Sequence, residues 1–260
     1  MDNQLFRERL EAGELCLGTC ITFTDPTVTE ALCNAVDFVW IDTEHNALSL
    51  ETVQSHVMAT KGSAVTPLVR VPWNDPVLIK PILDIGAAGV IVPLVRTADD
   101  VHRAVAACRY PPEGIRGFGP RRPASYGREG GPEFCRAANA SMITIVQIEH
   151  IDAVNNLDEI LAVPGLTSIV VGSNDLSGSM GHMGEPRHPD VLAAIDTIFA
   201  KANKVNMPVG MAVGDDLDVL TGWVDKGAAW LAMGADFMML VRAATELIGR
   251  VRDHASPRRS

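Results

Sequence analysis

Short runs of apolar, β-branched residues alternate with amphipathic stretches along the whole chain. The runs predict strands at Leu15–Ile21, Phe38–Ile41, Ala64–Val69, Gly89–Val92, Ile143–Ile148, Ser168–Val171, Pro208–Met211 and Trp230–Met233. They are apolar without interruption (VIVP, SIVV), as parallel strands covered on both faces are. The stretches between them predict helices at Pro26–Ala35, Leu50–Lys61, Asp75–Ile85, Ala98–Arg109, Ile151–Leu161, Pro189–Ala202, Leu217–Lys226 and Ala235–Arg252. Strand then helix, repeated about eight times at roughly 30 residues per unit, is the pattern of a (β/α)8 TIM barrel. We read residues 1–260 as one such α/β domain, with a helix at Leu5–Ala12 plugging its base. A doubly wound open sheet shares the alternation, which by itself does not establish closure. One connection departs from the rhythm. Tyr110 to Phe134 is rich in Gly and Pro and too long for an ordinary link, and such loops are usually functional. The terminal Ser256–Ser260 reads as a frayed basic tail.

Composition narrows the class. Apolar residues make up 47% and charged residues 21%, enough for a folded core and too apolar for disorder. A net charge of -10 disfavours a nucleic-acid partner. The longest nearly apolar run, between Asp84 and Arg96, is shorter than the roughly 20 residues a spanning helix needs. Met1–Leu10 lacks the apolar stretch of a secretory signal. The five cysteines show no zinc-site spacing and read as free thiols of a cytoplasmic protein.

The informative positions are those where polar residues end apolar strands. In a barrel, reactive groups belong at the carboxyl ends of strands. FVWIDTEH closes the second strand with Asp42, Glu44 and His45, and PLVRVPWND closes the third with Arg70. ITIVQIEH closes the fifth with Gln147 and Glu149, and Asp175 follows the sixth in SIVVGSNDLS. Each alone has a structural explanation: Asp175 as a helix cap, His45 as a satisfied histidine, Arg70 as an ion-pair member. Their convergence on one rim points to a site. Glu149 and Asp175 offer hard oxygen ligands that suit Mg²⁺ or Mn²⁺ better than Zn²⁺. Gln147 shares an inward face with Glu149 by the period of two, and His150 faces away as a bystander. Arg70 offers a fixed positive fork for an oxyanion or carboxylate. His45 brings an imidazole, the side-chain type suited to proton transfer. The Gly172-Ser173-Asn174 turn, read as a helix start, offers backbone N–H groups to a carboxylate.

Absences narrow the reaction. The lysines, Lys61, Lys80, Lys201, Lys204 and Lys226, all fall in or at the end of helical segments, so no Schiff-base nucleophile closes a strand. There is no GxSxG, P-loop or complete GxGxxG. A metal, an arginine and a histidine without a covalent nucleophile suggest chemistry through a metal-stabilised enolate.

DFVWIDTEH, LVRVPWNDP, IVQIEH and VVGSNDLSGSMG, in that order, resemble the HpcH/HpaI aldolases, the class II metal-dependent pyruvate aldolases. GAAGVIVPLV and RYPPEGIRGFGP are further family-like segments, and the resemblance runs from Gly18 to about Arg252. It implies a (β/α)8 barrel that exchanges its last helix with a neighbour in a hexamer. It implies a divalent metal at Glu149 and Asp175 (Mg²⁺ or Mn²⁺, with Co²⁺ or Zn²⁺ as alternatives). Arg70 would hold the keto oxygen and His45 would act on the aldol hydroxyl, supported by Asp42 and Asp84. Gln147 would line the site, with the substrate carboxylate cradled at Ser173 and Asn174. The partners implied are a keto acid, pyruvate or hydroxypyruvate, and an aldehyde. The sequence departs from the family at Ser173-Asn174, where Pro-Ala is common, at Thr43, where Gly is common, and in GPRRPASYGREGG. Arg121 and Arg122 there either bind an acidic acceptor tail or form a solvated turn. Oxaloacetate decarboxylation, CoA-ester cleavage and a non-catalytic keto-acid-binding barrel are the rival readings.

Overall fold

The computed structural model describes residues 4–255, so the tail at Ser256–Ser260 lies outside the described residues. The chain runs through α1 (Gln4–Glu11), β1 (Cys16–Ile21), α2 (Thr27–Leu32), β2 (Phe38–Asp42), α3 (Leu50–Ala59), β3 (Thr66–Arg70) and α4 (Pro76–Asp84). It continues through β4 (Gly89–Val92), α5 (Ala98–Cys108), α6 (Gly131–Ser141), β5 (Ile143–Ile148), α7 (Ile151–Asn155), α8 (Leu157–Leu161), β6 (Ser168–Val171) and α9 (Ser173–Ser179). It ends with α10 (Pro189–Lys204), β7 (Val209–Val213), α11 (Leu217–Asp225), β8 (Trp230–Ala235) and α12 (Asp236–Ala255). All eight strands pair in parallel with their sequence neighbours, and β1 pairs with β8 to close the barrel. Closure excludes the open sheet.

The uninterrupted apolar runs have the origin expected of them. Val39, Ile41, Val69, Val146, Ile148, Ile169 and Val171 face the helices, while alternate positions fill the interior. The interior is tightly layered at the base. Phe6, from α1, meets Phe38 and Trp230 edge to face at 5.3 and 5.9 Å, so α1 does plug the barrel. Trp230 packs so closely on β7 that a Cβ on Gly210 would lie 2.0 Å from its ring. Its Nε1 donates to Ser168 Oγ at 2.9 Å, which satisfies the buried indole.

At the rim, short loops end in residues that cap the next helix. Ser49, Asp75, Thr97 and Asp216 accept backbone N–H bonds at the starts of α3, α4, α5 and α11. Three sequence expectations need correction. The helix expected over Ile151–Leu161 is two, joined at Asn156. The segment after β6 forms α9, whose polar SNDLSGS sequence carries no apolar periodicity. The long Gly/Pro segment contains a 3-10 turn at Ser125–Gly127 and leads into α6. That segment joins a helix to a strand, so it lies at the base, away from the rim. Beside it is a cavity of about 740 Å³ lined in part by Lys61, Arg122, Tyr126 and Arg128.

Replacing Phe6 by Ala is expected to destabilise the protein by about 3–5 kcal/mol, as for other buried phenylalanines. Urea unfolding checks this, and a loss under about 1 kcal/mol would show that α1 does not close the base.

Candidate active site at the carboxyl rim

The polar residues that end β2, β3 and β5 meet above the aromatic floor. Register pairs Asp42 with Arg70 across β2 and β3, two residues above Trp40 and Leu68. The Arg70 guanidinium lies over the Trp40 ring at 5.2 Å and donates from Nε to Asp42 Oδ1 at 2.8 Å. Its Nη1 lies 3.1 Å from Glu44 Oε2 and 3.4 Å from Gln147 Oε1. Burial favours a neutral Asp42, but the Arg70 hydrogen bond and charge hold the carboxyl below its ordinary range. Burial likewise weakens the Arg70 charge, and Asp42 and Glu44 more than restore it. Asp42 also anchors its own loop, accepting from Glu44 N and from Asn46 Nδ2.

Gln147 and Glu149 share the inward face as the period of two requires. Gln147 Nε2 donates to Glu149 Oε2 at 2.6 Å, and Leu94 N donates to Glu149 Oε1 at 2.7 Å. Each carboxylate oxygen therefore has one protein donor and a lone pair left over. Space beside Glu149 exists because residue 172 is glycine: a Cβ there would lie 2.6 Å from Glu149 Oε2. Burial, aided by the charges of Glu44 and Asp175, raises the Glu149 carboxyl to about 7, and the Leu94 bond opposes the rise.

Asp175 is the third residue of α9, with Gly172 in the cap position, so its side chain is not a helix cap. It is exposed and, among the described residues, makes no hydrogen bond or ion pair. Ser173 and Asn174 start α9, where first-turn N–H groups have no intrahelical partner. His45 stands at the outer edge, its side chain 62% exposed and its Nε2 3.7 Å from Glu44 Oε2. His150 is a structural residue, since its Nδ1 caps α7.

Asp84 does not join this group within one chain. It ends α4, at the base, where it accepts from the buried Arg116 at 2.8 Å. Arg122 also sits at the base, with Nη1 donating to Ile85 O. Arg116 and Arg122, with Arg128 lining the cavity beside them, thus lie at the base and not at the rim of the same chain.

Two contributors were not assigned a role from sequence. Glu44 is half-buried between Arg70 and His45, and its Oε2 is shielded from solvent with charge partners but no hydrogen bond. Burial raises its carboxyl, against the pull of Arg70. Its place in the acidic motif was a usable signal. Leu94 acts through a backbone N–H, which no side-chain pattern encodes.

Asp42, Glu44 and Glu149 thus lie near the Arg70 guanidinium, and Asp175 adds its charge beside Glu44 and Glu149, so this rim carries four carboxylates. That excess negative charge, with open lone pairs on Glu149 and an unpartnered Asp175, fits a hard divalent cation. A second group, His182, His188 and Asp190, brings ligand-type atoms within 4.8 Å of one another. There His188 Nδ1 accepts from Asp190 N and caps α10, and the two imidazoles stack at 3.5 Å, a packing arrangement. No helix among the described residues is long and apolar enough to cross a membrane.

A profile of the HpcH/HpaI aldolase/citrate lyase family matches residues 23–243. The chain is 35% identical to a hydroxypyruvate/pyruvate aldolase of Roseovarius nubinhibens, over 95% of this chain and 96% of that protein. It is 36% identical to a 4-hydroxy-2-oxo-heptane-1,7-dioate aldolase of Shigella sonnei, over 96% of this chain and 95% of that one. Among solved structures, an HpcH/HpaI aldolase/citrate lyase family protein of Burkholderia cenocepacia J2315 superposes with a TM-score of 0.91 at 32% identity, covering 96% of this chain and 99% of that one.

The raised Glu149 carboxyl makes the metal-free protein pH-sensitive. Folding holds the proton more tightly than the unfolded chain does, so this contribution is fully present below the ordinary value of 4.5 and is lost as pH rises through about 7. In chelator, Glu149→Gln is expected to match the parent near pH 4 and to exceed it by up to about 3 kcal/mol near pH 8. Urea unfolding at both pH values measures the difference, and a constant offset would contradict it.

Proposed function

The chain belongs to the HpcH/HpaI aldolase/citrate lyase family, and from that premise we propose a metal-dependent aldolase. It reversibly cleaves a 4-hydroxy-2-oxo acid into pyruvate, or hydroxypyruvate, and an aldehyde. The observation that carries this reading is the buried Glu149 carboxylate, oriented by two donors, given room by Gly172 and set among excess negative charge. Glu149 and Asp175 would hold a divalent cation, with Mg²⁺ or Mn²⁺ preferred by their hard oxygens and Co²⁺ or Zn²⁺ as substitutes. When bound, the cation supplies positive charge to the carboxylate and keto oxygens of the substrate and to the enolate that follows.

The chain's own residues account for the rest. The N–H groups that open α9 at Ser173 and Asn174 bind the substrate carboxylate. Arg70, braced by Asp42 and stacked on Trp40, directs its remaining donors at the C2 oxygen. His45, directly or through water, takes the proton of the C4 hydroxyl. The O–H electrons form the aldehyde carbonyl, the C3–C4 bond breaks, and its pair forms C2=C3 as charge moves to the C2 oxygen. Arg70 and Gln147 lie beside that oxyanion in a water-poor pocket, where fixed donors act most strongly. Glu44, beside both His45 and Arg70, keeps the two groups in register.

Assembly completes the reading. The apolar residues Phe237, Leu240, Val241, Leu247, Ile248 and Val251 of α12 are all exposed, at helical spacing along one face. We read this face as the one exchanged with a neighbouring copy in a hexamer. Asp84, remote within its own chain, can then act only at a neighbour's rim. Leu247→Asp is expected to reduce the assembly to smaller species by light scattering. An unchanged mass would remove α12 from the interface.

Arg70→Ala is expected to lower turnover by about 10²–10³-fold, as loss of one oxyanion donor does, while Mn²⁺ affinity changes little. Glu149→Ala and Asp175→Ala should abolish metal-dependent pyruvate release, followed with lactate dehydrogenase on chelator-stripped enzyme. Full activity in either without added metal would remove that residue as a ligand.

A further inference from the structure

Glu149 is oriented by a backbone group in a conformation that its residue type resists. Leu94 follows Pro93, just beyond β4, and has φ 54°, in the left-handed region. L-residues avoid that region because Cβ crowds the following carbonyl. Asn and Asp offset the cost with a local side-chain bond, which leucine lacks. Such outliers persist only where the surroundings over-determine them.

The Leu94 N–H donates to Glu149 Oε1 at 2.7 Å, from a different strand of the barrel. The other oxygen is held by Gln147, a side chain whose own amide oxygen has only a long 3.4 Å contact with Arg70. The backbone donor is the more rigid of the two. Gly172 removes any steric guide on the far side of the carboxylate. The rotation of the carboxylate plane thus depends on the direction of the Leu94 N–H.

We propose that Leu94 is a positioning residue, whose left-handed backbone aims its N–H at Glu149 Oε1 and so fixes the lone pair that Glu149 presents to a divalent cation. The inference rests on the reading of Glu149 as a ligand, and it assigns to the β4 loop a role that needs the conformation of residue 94 and not its side chain. Outer partners of metal ligands commonly govern affinity in this way.

The test measures Mn²⁺ binding to the chelator-stripped, full-length protein by calorimetry. Leu94→Gly and Leu94→Asn accept the left-handed region and keep the N–H, so their dissociation constants should stay within about threefold of the parent. Leu94→Val resists that region and should weaken binding by about 10–100-fold, the usual loss for a missing outer partner. Replacing Leu94 by its α-hydroxy acid removes only the N–H and should weaken binding to the same extent; this variant decides the matter if Leu94→Val does not fold. Parent-like affinity in the hydroxy-acid variant overturns the proposal. Glu149→Ala, run alongside, separates the two claims: parent-like binding there would mean that the ligand reading itself had failed.

Discussion

The ion pair between Asp42 and Arg70 is the interaction on which the rim depends. An unpaired guanidinium at that depth would be costly, and an unpaired Asp42 would take up a proton. Paired across adjacent strands and seated on Trp40, each group keeps the other charged. Asp42 then has an oxygen to spare for Asn46, which holds the loop carrying Glu44 and His45. Arg70 in turn reaches Gln147, and Gln147 reaches Glu149. Asp42, Arg70, Gln147 and Glu149 thus form one hydrogen-bonded chain starting from a single register pair between β2 and β3, and their order reflects strand pairing more than loop structure.

The same network shows where stability is spent. Glu149 has its two donors and one spare lone pair per oxygen, yet burial and the nearby carboxylates still disfavour its charge. A partner such as lysine at that point would relieve the strain and fill the space. The chain instead keeps glycine at 172 and leaves the carboxylates in excess. The destabilisation is local and is offset by the close-packed base, where Phe6, Phe38, Trp40 and Trp230 interlock.

Most of the barrel and the in-chain part of the site was legible because both follow from strand periodicity. Uninterrupted apolar runs marked the eight strands, and alternation placed Gln147 with Glu149 on the inward face. What was not legible has other physical causes. The start of α9 was expected at Gly172–Asn174, but its extent was not, because the helix has no apolar stripe. Helices at the base return Asp84 and the Arg121–Arg122 turn to the end opposite His45, which is a matter of topology that local motifs do not contain. The role of Leu94 depends on a backbone dihedral angle, and leucine is the last residue type from which a left-handed angle would be read.

The plug formed by α1 gives the molecule a vertical axis of meaning. Below the level of Trp40 the inward side chains are mostly apolar and serve density, and α1 closes that end. Two residues higher the same strands carry charge. Ile145 and Gln147, two positions apart on β5, therefore obey different rules: one answers to volume, the other to donor geometry. Height along the barrel axis, more than position in the chain, determines which kind of substitution each residue can absorb.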